Sequence, residues 1–247
     1  MRDGDVVEYE ADAPERLEPD PEAIPLRVLY DEGDVVVVDK PAGMVVHPAR
    51  GHTSGTLVHA LLGLGGRWSA LGGAARPGIV HRLDRGTSGL ILAARSDASH
   101  RALAAQLASR TLSRTYLAIA RGGLAEEEGV VEGPIGRDPG NRLRMAIVEG
   151  GRPARTRFRV VERRGGHTLV RCDLDTGRTH QIRVHLAALG HPIAGDDLYA
   201  RRRPGDPPRP MLHAWRLRFR DPETGAEMSF EVPPPPDFAG FWERLAS

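Results

Sequence analysis

The 247-residue chain is 40% apolar, enough to fill a substantial core, and it lacks any run of about 18 apolar residues that could form a membrane-spanning helix. Its formal charge of +1 hides an asymmetry: residues 1–34 hold twelve Asp/Glu against three Arg, a balance of −9 that leaves +10 on the remainder. Of the 34 basic residues only Lys40 is lysine; such arginine enrichment suits planar contact with phosphate and bases, although genome composition produces the same bias.

The opening MRDGDVVEYEADAPE is acidic where a signal peptide would be basic and then apolar, so the cytoplasm is the expected compartment. Residues 1 to about 26 alternate weakly in DVVEYEA and then dissolve into DAPERLEPDPEAIP, whose prolines and like charges resist packing; a strand and then a tether are expected. LRVLYDEGDVVVVDKPAGMVVHPA turns to two apolar, β-branched runs bounded by the turn sequences DEGD and KPAG, read as strands. TLVHALLGLG and SDASHRALAAQLAS place apolar residues at helical spacing, with Ser96 or Asp97 as N-cap of the second. RTYLAIARG and ARTRFRVVERRGGHTLVRCDLDTG alternate with period two, the latter around a hairpin turn at RRGGH. Cys172, the single cysteine, has no partner for an internal disulfide and reads as a half-buried filler.

THQIRVHLAALGH reads as a strand end or turn passing into a short helix that stops near Gly190. RRRPGDPPRP (201–210) is a basic, proline-rich loop, either a solvated spacer or a contact for an RNA backbone. WRLRFRDPETGAEMSFEV closes the series as another hairpin, turning at DPETG. Hairpins imply antiparallel pairing, and strands and helices do not alternate strictly, so the expected class is α+β rather than a doubly wound parallel sheet.

Two constellations could carry chemistry. In HRLDRGTSG (81–89) a lone carboxylate, Asp84, stands between Arg82 and Arg85 in turn-forming sequence, as either an active group or an Asx-type cap; on the residues alone the cap is the commoner role. TGRTHQIRVHL (176–186) packs Arg178, His180, Gln181, Arg183 and His185 among apolar Ile182, Val184 and Leu186. A partly buried arginine there needs a carboxylate or a ligand phosphate. His180 and His185 are five apart and neither an HExxH nor a CxxC pair occurs, so no metal is expected. Phosphate-loop, GxGxxG and GxSxG signatures are missing as well, and no cofactor is expected.

Taken in order, DKPAGMVVHPA, GIVHRLDRGTSGLILAARS, RTYLAIARG, TGRTHQIRVHLAALGHPIAGDDLYA and LHAWRLRF resemble the signature of the RluA-type family of RNA pseudouridine synthases, nearest the branch acting on large-subunit ribosomal RNA. The resemblance covers roughly residues 26–240. It implies the pseudouridine-synthase fold, a long, mainly antiparallel mixed sheet with packed helices and a basic central cleft, in a catalytic domain spanning 26–247. It also implies that Asp84 is the catalytic aspartate, that Arg183 pairs with it, and that Tyr116 is the active-site tyrosine. Arg82 would belong to the loop that enters the RNA, and His81, Arg85, Arg178, His180 and Gln181 are further candidates for RNA contact. The implied substrate is RNA, 23S rRNA first and tRNA as the alternative, with base flipping, no metal, no membrane and a monomeric enzyme. A binding-only RNA chaperone is the third reading, and the complete set of Asp84, Tyr116 and Arg183 argues against it.

Converting uridine to pseudouridine breaks the C1′–N1 bond and joins C1′ to C5 of the same base, so neither water nor an external donor is consumed. An ionised carboxylate can add to C1′ or remove a neighbouring sugar proton; the sequence leaves both routes open. The resemblance also has departures. The branch commonly begins with an S4 RNA-binding domain, of which MRDGDVVEYEADAPE resembles only the last strand and tether, so residues 1–25 are expected to be a remnant, from a truncated or misannotated start. Gly86 stands where relatives often carry a polar or acidic residue, a departure that bears on the stiffness of the loop more than on its chemistry.

Overall fold

The computed structural model describes residues 18–49 and 51–246, so most of the strand and tether expected at the N-terminus lies outside the described residues. From Glu18 the chain runs without regular structure to β1 (Arg27–Glu32), which turns at Gly33 into β2 (Val35–Lys40). The third apolar stretch, Met44–Val46, is not a strand. Its carbonyls serve a helix instead: Val45 and Val46 accept the first free N–H groups of α1 (Leu57–Gly63), at 2.8 and 3.0 Å.

β3 (Ser88–Ala94), α2 (Asp97–Ser109) and β4 (Ser113–Arg121) follow. Of the two candidate caps for α2 the structure uses Ser96, whose hydroxyl accepts from the Ser99 N–H. β5 (Glu128–Glu132) and the small pair β6 (Ile135–Arg137) and β7 (Met145–Ile147) were not expected, because their strands are short and interrupted by Gly and Pro. The hairpin of β8 (Arg155–Arg164) and β9 (His167–Leu174) turns at Gly165–Gly166 as expected, and α3 (Gln181–Ala188) ends before Gly190, where φ is +83°. β10 (Leu212–Arg220), β11 (Glu227–Glu231) and α4 (Pro236–Arg244) complete the chain.

Nine strands form one mixed sheet in the order β1-β2-β3-β10-β4-β9-β8-β5, with β11 added beside β10. Among the described residues only the β3–β10 pair is parallel, so the α+β expectation holds. Gly89, at φ +108°, makes that junction possible: a Cβ there would stand 2.2 Å from the Ala214 carbonyl oxygen. The run Val35–Val38 is buried on both faces. Val36 and Val38 join the main core with α1, α3 and α4, whereas Val35 and Val37 join a second cluster built around α2. Continuous apolar sequence is what a strand covered on both sides requires. Cys172 is fully buried in the main core rather than half-buried, and burial pushes its thiol pKa up, which leaves it inert.

Candidate active site

Asp84 lies in the loop that enters β3. Its backbone carbonyl closes the turn by accepting from the Thr87 N–H at 3.0 Å, and the carboxylate is spared for other use. Among the described residues its Oδ2 accepts from Arg183 Nη1 at 3.1 Å and its Oδ1 accepts nothing. The Asx-type cap is therefore not formed. Backbone hydrogen bonds flank Gly86 on both sides. The Gly86 carbonyl accepts from Arg209 Nη1 at 3.0 Å, the Arg85 carbonyl accepts from the Gly43 N–H at 2.8 Å, and Arg85 Nε donates back to Gly43 at 3.2 Å. Lys40 stiffens the adjoining KPAG turn by donating to the carbonyls of Pro41 and Met44. Burial lowers the Lys40 pKa to about 7, against the opposing pull of Asp84.

Arg183 projects from α3, a helix buried on nearly every side, and its charge is matched twice. Fully buried Asp196 takes it bidentately, Nε to Oδ2 at 2.7 Å and Nη2 to Oδ1 at 2.9 Å, and Nη1 remains for Asp84. Burial works against the guanidinium, but the hydrogen bonds and charge of Asp196, then those of Asp84, outweigh it and raise its pKa. The expected Arg183–Asp84 pair is present, but the anchor is Asp196, which the sequence reading missed although it lies within the quoted GDDLYA. Tyr199, from the same stretch, was missed too: its ring lies 5.1 Å from the Arg183 guanidinium, and its hydroxyl meets His180 Nδ1 at 2.8 Å. An Asp and a Tyr some 13–16 residues beyond Arg183 carry no local signal of either contact.

Tyr116 projects from β4, paired with Cys172 and Ala214, and is 5% exposed. Burial raises its phenol pKa, Asp84 adds to that and Arg114 opposes it, so it is neutral near pH 7. Asp84, Tyr116 and Arg183 line one cleft of about 50 Å³, joined by Arg82, Arg178, His180 and Gln181. His180 holds an uncommon left-handed backbone conformation, φ +58°, at the start of α3, with Nε2 4.0 Å from Asp84.

Two proposed contacts fall outside this cleft, and a third lines it with its polar atoms already engaged. His81 is buried with Nε2 accepting from the Leu92 N–H, and burial, helped by Arg114, lowers its pKa to about 3. Gln181 uses both ends internally: its carbonyl accepts from Thr176 and the Arg178 N–H, its amide donates to Arg155 and Thr156. Arg85 is exposed but engaged with Gly43. His81, by burial, and Gln181, by its internal hydrogen bonds, are corrected to holding roles, whereas Arg85 lies outside the cleft with only its Nε engaged. Arg82 remains exposed at the cleft, and half-buried Arg178 donates to the Pro153 carbonyl.

Residues 34–188 match the RNA pseudouridylate synthase family. The chain belongs to this family. It is 47% identical over 233 residues to ribosomal large subunit pseudouridine synthase D of Nitrosomonas europaea, covering 91% of this chain and 66% of that protein. It is 44% identical over 245 residues to the RNA pseudouridine synthase YlyB of Bacillus subtilis, covering 99% and 81%. The counterpart of synthase D in Neisseria meningitidis serogroup A is 46% identical over 88% of this chain and 60% of its own length. The chain thus spans just under two thirds of the length of the first of these relatives. Human RNA pseudouridylate synthase domain containing 1 superposes with a TM-score of 0.70 at 27% identity, covering 96% of this chain and 91% of that one. The expected fold is therefore the observed one. Among the described residues no cluster of side chains suited to a metal ion occurs, and no helix is long and apolar enough to cross a membrane.

Proposed function

We propose that the chain isomerises uridine to pseudouridine in large-subunit ribosomal RNA, with Asp84 as the reacting carboxylate. The observation that carries this reading is the asymmetry of Asp84: one oxygen is held by an arginine that is itself fixed by Asp196, and the other is uncommitted in a cleft shared with Tyr116. A positioned carboxylate stabilises the positive character that C1′ gains as N1 departs, either by adding to it or by taking a proton from the sugar. The base then turns and bonds through C5; the proton leaving C5 is balanced by the one gained at N1.

Tyr116 offers its ring face to the uracil, and in this reading its neutral hydroxyl takes part in proton exchange at C5. Arg82, exposed at the rim, helps hold the nucleotide out of its stack. Ribosomal RNA is supported by the names of the Nitrosomonas and Neisseria relatives, and by the basic body found by charge counting.

The test is pseudouridine mapping by carbodiimide labelling and primer extension, on RNA incubated with the wild-type chain or with Asp84→Asn. Sites in 23S rRNA made by wild type alone are expected, with RNA affinity of the variant within about tenfold because phosphate contacts dominate affinity. Turnover by Asp84→Asn would move the chemistry elsewhere, and sites confined to tRNA would overturn the substrate.

A further inference from the structure

Arg114 is the second residue of β4, two before Tyr116, and side chains two apart on a strand share a face. It is only 9% exposed, yet it makes no hydrogen bond or ion pair among the described residues, and its Nε is buried without an acceptor. Its cross-strand neighbour on β10 is apolar Leu217. On its other side lies Gly177, whose φ needs no glycine but where a Cβ would stand 2.5 Å from Arg114 Nη1. Glycine at 177 is thus explained by the room it leaves for the guanidinium.

A buried cation with no anion is costly to a folded protein, and ordinarily such an arginine is given a carboxylate, as Arg183 is given Asp196. Arg114 lines the Asp84 cleft together with Tyr116 and Gly177. An extruded uridine remains tied to its strand by phosphates, and this guanidinium lies in the cleft that would receive it. We propose that Arg114 binds a backbone phosphate of the RNA, at the nucleotide occupying the cleft or its immediate neighbour, and so anchors the extruded uridine between Asp84 and Tyr116. The inference rests on the reading of the cleft as a uridine site. Planar, bidentate donation is what arginine offers a phosphate and lysine does not.

The experiment compares wild type with Arg114→Met, Arg114→Lys and Gly177→Ala, using an in vitro 23S rRNA transcript. Filter binding is measured across a salt series, with turnover and RNA-free thermal unfolding in parallel. Arg114→Met is expected to weaken binding about ten- to a hundredfold, as loss of charged hydrogen bonds does, and to reduce the salt slope by about one. Its unfolding temperature holds or rises, because an uncompensated charge has been removed. Arg114→Lys retains the slope but loses affinity. Gly177→Ala, which displaces the guanidinium without removing it, weakens binding in the same way.

Unchanged affinity and slope in Arg114→Met and Gly177→Ala, with wild-type turnover intact, would overturn the anchor and leave the uridine site standing. A drop in unfolding temperature with the slope unchanged would make Arg114 a structural residue. Absence of turnover by wild type would instead sink the uridine-site reading on which the anchor depends.

Discussion

The two faces of strands β4, β9 and β8 use charge in opposite ways. On the Tyr116 face, around α3, a few buried groups are arranged so that Arg183 is matched by Asp196 and shares its remaining donor with Asp84. On the other face, Thr115 pairs across to Arg216 and Asp173, Asp173 to Arg157, and Arg171 to Arg159, which sets arginines in rows over four strands. Most of these are already neutralised: Arg157 by Asp175, Arg159 by Glu128, Arg171 by Asp173 and Arg216 by Glu231. A net charge of +10 on the body therefore overstates the cations free to meet RNA. Availability is decided by pairing, and among the described residues Arg114 and Arg82 at the cleft are unpaired where most of the exposed rows are not.

The contrast can be broken most directly at Arg183. Arg183→Met leaves fully buried Asp196 without its partner, and breaking a buried pair in this way costs about 3–5 kcal/mol; denaturant unfolding should show that loss along with the loss of turnover. An equally stable variant would mean that Asp196 is protonated or hydrated in solution. Tyr116 separates packing from chemistry: Tyr116→Ala should cost about 3–5 kcal/mol as other buried aromatic truncations do. Tyr116→Phe should stay folded and lose turnover, measured in the mapping assay; full activity would confine Tyr116 to packing.

Acid tests the buried histidines near the cleft. His81 is held near 3 and His47 near 4 by burial, then by neighbouring arginines, against about 6.5 for a free imidazole. The unfolded chain therefore binds more protons below pH 6.5, and stability present above that value falls as the pH drops towards 3. Urea midpoints across that range should decline, and His81→Gln, which keeps an acceptor for the Leu92 N–H, should flatten the decline. The smallest effect belongs to the outer face. Arg159 and Glu128 are 67% and 64% exposed, so Arg159→Ala should change stability by less than about 1 kcal/mol and leave the salt slope of RNA binding nearly unaltered. A slope reduced as far as that of Arg114→Met would show that the rows bind RNA despite their acidic partners.

Much of this was legible in one dimension, because period-two alternation, Gly–Gly at 165–166 and Ser96 before an amphipathic run act through local geometry. Those signals determined the main hairpins, helices α1 to α3 and the α+β class, but not α4, and the ordered motifs around Asp84, Tyr116 and Arg183 identified the family. Tertiary structure decided the rest. It showed that VVVV is buried on two faces, that Met44–Val46 caps a helix instead of pairing, and that β5 to β7 form despite weak patterning. It also chose Asp196 as the anchor of Arg183, closed His81 and Gln181 off from solvent, and left Arg114 without an acid. The division has one physical cause: backbone conformation responds to near neighbours in sequence, whereas the free energy of a buried charge depends on whatever the folded chain places within a few ångströms of it.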